Sequence, residues 1–116
     1  MGFLLRILVS ALAAMLTAYL LKPAVKVDDF ITALILALVL ALLNALVKPL
    51  LIVLTFPVTI VTLGLFLFVI NALIILLAAR LVPGFKVDGF WWALLFSIIM
   101  TIINSVMLNI AGNNND

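Results

Sequence analysis

The 116-residue chain contains no cysteine, no histidine and no glutamate. Without cysteine there is no disulfide, no thiolate metal site and no cysteine nucleophile. The carboxylates are Asp28, Asp29, Asp88 and Asp116, and general acid–base work needs a pair of them in a cleft with shifted pKa values. No glycine-rich phosphate loop and no nucleophile motif is present. The chain is therefore not expected to be an enzyme, and neither a cofactor nor a metal site is expected. Charged residues make up only 9% of the chain and the net charge is +2, too little for a nucleic-acid partner.

What fills the chain is hydrocarbon. Hydrophobic residues account for 70% of it, and the mean hydropathy is +1.60. A soluble domain of this size could not cover such a surface with polar groups, so lipid is the expected solvent. In a bilayer core the backbone must satisfy its own hydrogen bonds, which predicts helices rather than open sheets. A β-barrel would need alternating polarity, and continuous apolar runs stand in its place.

The run from Phe30 to Val47 has no charge and one strongly polar side chain, Asn44. Its length suits a helix crossing a hydrocarbon core of ~30 Å. Ala33, Ala37, Ala41 and Ala45 recur every fourth residue, a smooth strip on one helix face where another backbone could approach. Sixty positions on, Ala93, Ser97, Thr101 and Ser105 occupy the equivalent places, and Asn104 answers Asn44. The match is wider than the strip. Residues 21–44 and 81–104 align without a gap, with identities at Leu21/Leu81, Pro23/Pro83, Lys26/Lys86, Val27/Val87, Asp28/Asp88, Phe30/Phe90, Ala33/Ala93, Leu34/Leu94 and Asn44/Asn104. Apolar helices match easily by chance. The polar run P-x-x-K-V-D-x-F does not, and it marks an internal duplication.

In chain order, residues 3–21 read as a first span, with Arg6 snorkelling one turn in. A cleaved signal peptide is the rival reading; the apolar core is too long for one and its far end enters the repeated unit. Lys22–Asp29 is a loop, closed by Pro23 and by a helix N-cap for which the shared Asp28 and Asp88 are the better candidates. Between proline and aspartate the pattern suits a short extended segment. The two such segments share a membrane face and could pair about a pseudo-two-fold axis, which could also bring Asp28 and Asp88 together. The second span ends near Lys48-Pro49. Pro49, Pro57 and Gly64 then interrupt an apolar stretch. Residues 50–56 read either as a short re-entrant helix or as the first turns of a long third helix. A bend at Pro57 is favoured, with the span proper at 58–79 and Thr55, Thr59 and Thr62 donating to freed carbonyls. A fourth span follows from Phe90 to Ile110, with Trp91 and Trp92 at the membrane–water boundary.

The expected fold is thus an all-α membrane protein: one domain over 1–116, with four transmembrane helices from two tandem helical-hairpin repeats. The repeat units run over about 3–48 and 58–110, an apolar, proline-broken segment 49–57 connects them, and 111–116 is a polar tail. Four spans put both termini on one side. Counted alone, Lys22, Lys26, Arg80 and Lys86 outweigh Arg6 and Lys48 and place the K-V-D loops in the cytoplasm. Arg6 beside the N-terminal amine pulls the other way, and both orientations stay open. Asn44, Asn71 and Asn104 read first as inter-helix hydrogen-bonding groups and second as a polar pore or relay. The small-residue strips read as packing surfaces, so Ala41→Leu is expected to disturb assembly more than Leu40→Ala.

The loop P-G-F-K-V-D-G-F (Pro83–Phe90, with a variant at Pro23–Phe30), the turn N-A-L-V-K-P (Asn44–Pro49) and the run T-L-G-L-F-L-F-V-I-N-A-L (Thr62–Leu73) carry a resemblance. Together with the order of spans, they resemble the phage-holin-like small four-span bacterial membrane proteins, the mycobacterial four-transmembrane holin superfamily. Departures are Asp29 where the second copy has Gly89, and Ala24 where it has Gly84. The resemblance implies a protein of the bacterial inner membrane that self-associates and permeabilises the bilayer. The alternative is a structural or accessory subunit packed against a larger envelope complex, without pore activity. Expected partners are the lipid bilayer and either a second copy of the chain or another membrane protein.

Overall fold

The computed structural model describes residues 2–113. Asp116 and the rest of 114–116, the end of the expected polar tail, lie outside the described residues. The elements are α1 (Phe3–Leu21), β1 (Val25–Val27), α2 (Phe30–Leu54), α3 (Phe56–Val61), α4 (Phe66–Leu81), β2 (Phe85–Val87) and α5 (Phe90–Asn113). Three of the helices, α1, α2 and α5, are long and apolar enough to cross a membrane. The fourth apolar helix, α4, is shorter at 16 residues, or roughly 24 Å at 1.5 Å per residue.

The helices form a ring. α1 packs on α2 and α5, and α4 packs on the same two helices from the opposite side. A two-stranded ladder closes one end of the ring. β1 and β2 pair antiparallel, with Val25 opposite Val87, Lys26 opposite Lys86 and Val27 opposite Phe85. The hydrogen bonds flanking the ladder match as well. The Asp28 amide donates to the Gly84 carbonyl at 3.0 Å, and the Asp88 amide donates to the Ala24 carbonyl at 2.9 Å. The two K-V-D loops therefore satisfy part of their backbones on one another.

Beneath the ladder the core is dense. Val25, Leu36, Val82, Phe85 and Phe96 are buried, and the rings of Phe85 and Phe96 meet at 5.4 Å with a tilt of 52°. Ala33 and Ala93 sit here too, fully buried, where the absence of side-chain bulk lets backbones close up. Thr17, also fully buried, donates its hydroxyl to the Ala13 carbonyl at 2.7 Å and so satisfies itself within its own helix. The large exposed side chains, Leu4, Leu46 and Val53 among them, point outward, as lipid-facing positions require.

Several boundaries differ from the sequence reading. α2 does not stop at Lys48-Pro49 but runs through Pro49 to Leu54. An interior proline removes one backbone donor, and α2 continues past Pro49 with that one bond missing. Pro57 does not bend a long third helix. It sits in the first turn of the separate six-residue α3, where its missing N–H costs nothing. The 50–56 stretch is thus divided between α2 and α3, and the third span begins at Phe66, not 58.

The break that separates α3 from α4 lies at residues 62–65. The Gly64 amide donates to the Thr59 carbonyl at 2.8 Å and the Leu63 amide to the Ile60 carbonyl at 3.1 Å. This double bond pattern is a Schellman cap, with Leu63 at φ 58 and Gly64 at φ 89. Threonines line the break: Thr55, Thr59 and Thr62 donate their hydroxyls to the carbonyls of Leu51, Thr55 and Val58 at 2.7, 3.1 and 3.1 Å. At the far end, α5 continues to Asn113, into the stretch expected to be the polar tail.

The cap assignment also shifts by one residue. Asp29, not Asp28, caps α2: its carboxylate accepts from the Thr32 amide at 2.8 Å. Asp28 instead lies within 3.8 Å of the Lys26 ammonium. In the second loop the corresponding cap position is Gly89, whose carbonyl receives the Ala93 amide at 2.9 Å, and Asp88 makes no side-chain hydrogen bond among the described residues. The reason is the ladder. It draws the amides of Asp28 and Asp88 into strand pairing, which leaves the following residue to open each helix.

Candidate functional site: a polar cavity open at one end of the helix ring

The end of the ring opposite the ladder is open. A cavity of about 610 Å³ lies there, lined by all four long helices. Its walls come in equivalent pairs from α2 and α5: Ala37 with Ser97, Leu40 with Met100, Ala41 with Thr101, and Asn44 with Asn104. Ser10 of α1 and Asn71 of α4 complete the polar lining, and Arg6 and Lys48 are the charged groups in the wall.

The lining is graded. Counting 1.5 Å per residue along α2 from Phe30, Ala37 lies ~10 Å from the ladder end, Asn44 ~21 Å and Lys48 ~27 Å. The floor is therefore apolar and small, the middle carries amides, and the rim carries cations. Among the described residues neither Arg6 nor Lys48 has a carboxylate partner, and the one ion pair, Lys26 with Asp28, is at the opposite end. The Ser10 hydroxyl donates to the Asn104 side-chain carbonyl at a long 3.4 Å. Asn44 and Asn71 make no side-chain hydrogen bond to protein among the described residues, which leaves their amides available to whatever occupies the cavity.

The small-residue strips divide at this cavity. Ala33, Ala37, Ala93 and Ser97 are buried and act as packing residues. Ala41 is only half-buried and lines the cavity, while Ala45, Thr101 and Ser105 are exposed. The upper halves of both strips are therefore not helix-packing surfaces within one copy, because they border the cavity or face outward. Within one copy, Leu40 is 6% exposed and borders both core and cavity, whereas Ala41 has open space before it, so for the stability of the single chain the opposite ranking is expected.

Among the described residues Asn44, Asn71 and Asn104 do not bond helix to helix, apart from the Ser10–Asn104 contact. Sequence spacing put Asn44 and Asn104 at one depth; it gave no sign that Arg6 and Lys48 share their cavity. The signal was available in part, since Arg6 on α1 and Lys48 on α2 lie at the same end of an antiparallel hairpin. At the ladder end, Trp91 and Trp92 are exposed at the start of α5, and Lys22 stacks over Tyr19 at 4.4 Å. These are the amphipathic rings and basic side chains that favour a membrane–water boundary.

A bundle of apolar helices with asparagines around an axial cavity is a membrane architecture, and the comparisons with known proteins agree. About half of the chain aligns with each of two curated relatives, and it spans about half of their length. One is the "Uncharacterized membrane protein YvlD" of Bacillus subtilis (strain 168), 49% identical over 57 residues, covering 48% of each chain. The other is the "Uncharacterized protein SCO3922" of Streptomyces coelicolor, 50% identical over 60 residues, again 48% of each. No solved structure matches. The family profile described as "Mycobacterial 4 TMS phage holin, superfamily IV" matches residues 1–106, and the chain belongs to that family of membrane proteins.

Proposed function

We propose that this holin-family chain is a multi-pass protein of the bacterial cytoplasmic membrane that self-associates and permeabilises the bilayer. The observation that carries this reading is the half-open channel: a polar cavity reaches from one end of the bundle to the level of Ala37 and Ser97 and stops there. A single copy is closed by Leu36, Phe85 and Phe96, all buried. A passage across the membrane would thus form only between copies or after the floor parts. Ser105, small, exposed and outside the cavity lining, is a place where a second helix could approach closely.

In this reading the chain is one domain of two duplicated hairpins related by the ladder's two-fold symmetry. Four spans, with α4 the short one, place both ends of the chain on the cavity side. No enzymatic role, cofactor or metal is assigned. The test is release of an encapsulated dye from vesicles containing the purified protein, together with the mass of the detergent particle. Leakage that rises steeply with protein density, from particles larger than one chain, supports the reading.

The closed floor favours a second reading, a structural or accessory subunit of an envelope complex without pore activity. It predicts tight vesicles at every protein density and a reproducible association with another membrane protein.

A further inference from the structure

We propose that the cavity is a binding site for a phosphate group, carried either by a lipid headgroup or by a soluble phosphate compound, with Arg6 and Lys48 as its cationic ligands. The inference goes beyond permeabilisation and does not depend on it, because binding is read on protein in closed particles whether or not vesicles leak.

Four observations point to an anion. Arg6 and Lys48 come from different helices and line one cavity. No carboxylate lines it, although the same chain pairs Lys26 with Asp28 elsewhere. Three amide side chains, Asn44, Asn71 and Asn104, converge below the cations from α2, α4 and α5. They supply N–H donors that can close around oxygen atoms. The cation pair is also asymmetric. Sixty positions on from Arg6 and Lys48 stand Phe66 and Leu108, so the charges are confined to the α1–α2 side while the amides come from both sides.

Charge and size then select the class. Two cations at the rim with no carboxylate partner among the described residues are free to pair with an anion that enters the cavity. A guanidinium offers a flat, two-pronged donor set for phosphate oxygens, with the lysine as a point charge beside it. The volume of about 610 Å³ leaves room for a phosphate ester with part of its alcohol. Lys48 stands ~27 Å along α2 from the ladder end, close to the ~30 Å thickness of a hydrocarbon core, and the floor below the amides is mostly apolar. A small apolar anion would leave the asparagines unpaired, and a cationic ligand would meet like charge.

The test uses the full-length protein in neutral detergent. It is equilibrated with vesicles of phosphatidylcholine alone or mixed with phosphatidylglycerol, re-isolated, and its bound lipid counted by mass spectrometry. In a parallel arm its thermal unfolding is followed in inorganic phosphate against chloride at equal ionic strength. We expect about one phosphatidylglycerol retained per chain in preference to phosphatidylcholine, or a raised unfolding temperature in phosphate. Arg6→Gln or Lys48→Gln should weaken the response about fivefold each, the effect of one basic side chain near an anionic surface. The double variant should lose it at least tenfold. Lys22→Gln combined with Lys26→Gln, at the ladder end, should change it less than twofold. Circular dichroism monitors folding, and the conservative exchange Arg6→Lys should keep most of the binding. A lipid-only response assigns the phosphate to a headgroup, and a response to inorganic phosphate alone assigns it to a soluble compound. Absence of both responses overturns the proposal. So does equal loss in the Lys22/Lys26 control, which would mean general attraction to a basic protein.

Discussion

Lys26 and Lys86 stand directly opposite each other in the antiparallel ladder, sixty residues apart in sequence, at the centre of its register. Both side chains are exposed. Like charges directly across a ladder are unfavourable, by roughly 0.2–1 kcal/mol. Lys86→Glu should therefore stabilise the protein by about 0.5 kcal/mol, with a larger gain at low ionic strength. Unfolding in detergent at two salt concentrations measures both effects. A loss of stability on charge reversal would mean that the ladder is not paired in this register.

Depth along the strip should decide which alanines tolerate bulk. Ala33→Leu and Ala93→Leu place extra methylenes in a fully packed region and should each cost about 1–3 kcal/mol. Ala41→Leu and Ala45→Leu project into the cavity or outward and should be nearly neutral. Leu40→Ala, by contrast, removes a core side chain and should cost roughly 2 kcal/mol or more. Thermal unfolding of the five variants ranks them, and equal tolerance at Ala33 and Ala45 would contradict the packing described.

The two loop glycines should respond unequally. A Cβ on Gly84 would come within 2.9 Å of the Asp28 carboxylate and 3.2 Å of the Thr32 methyl group, at a φ of +90. At Gly64, with φ +89, a Cβ would meet nothing within 4 Å. Gly64→Ala then costs backbone strain alone, about 1 kcal/mol, and Gly84→Ala costs that plus a displaced loop. Leu63, the one non-glycine residue with positive φ among the described residues, offers the reverse experiment. Leu63→Gly should stabilise by about 1 kcal/mol.

Asp29 supplies a pH signature. The Thr32 backbone amide, and second the Thr32 hydroxyl, hold its carboxyl below the ordinary carboxylate range. A depressed folded-state pKa means that the contribution is complete above the unfolded value near 4 and fades as pH falls through the folded value. Asp29→Asn keeps an oxygen for the Thr32 amide and should remove this acid-sensitive component without abolishing the cap. Asp29→Ala should lower stability at neutral pH more than Asp28→Ala does. Unfolding profiles between pH 2 and 7 separate the three variants.

These predictions also mark what was legible in the sequence. Apolar runs and the repeated K-V-D loop pointed to helices at 3–21 and 90–110 and to an extended segment in each loop, because those features depend on local composition and spacing. The boundaries around Pro49 and Pro57 were not legible. A proline can sit inside a helix, as Pro49 does, or in its first turn, as Pro57 does, and the break before α4 falls instead at the Schellman turn of Leu63–Gly64. The cap moved from Asp28 to Asp29 because a partner strand, distant in sequence, claimed the Asp28 amide. For the strips, spacing of four defines a face but not what the face meets. Each step of four also drifts about 40° around a 3.6-residue helix, so Ala33 and Ala45 lie roughly 120° apart, and one is packed while the other is exposed.

The central claim is that the bundle is sealed by the ladder and open at the end where α1 begins. The natural absence of cysteine makes this directly measurable. Single cysteines introduced as Asn44→Cys, Asn71→Cys, Asn104→Cys, Leu36→Cys and Phe96→Cys are exposed to a membrane-impermeant maleimide, applied to each side of oriented vesicles in turn. The account predicts labelling of the three asparagine positions from one side only, the side shared by the start of α1, and no labelling of Leu36→Cys or Phe96→Cys from either side. Labelling of Leu36→Cys or Phe96→Cys, or labelling of the asparagine positions from the ladder side, would contradict it.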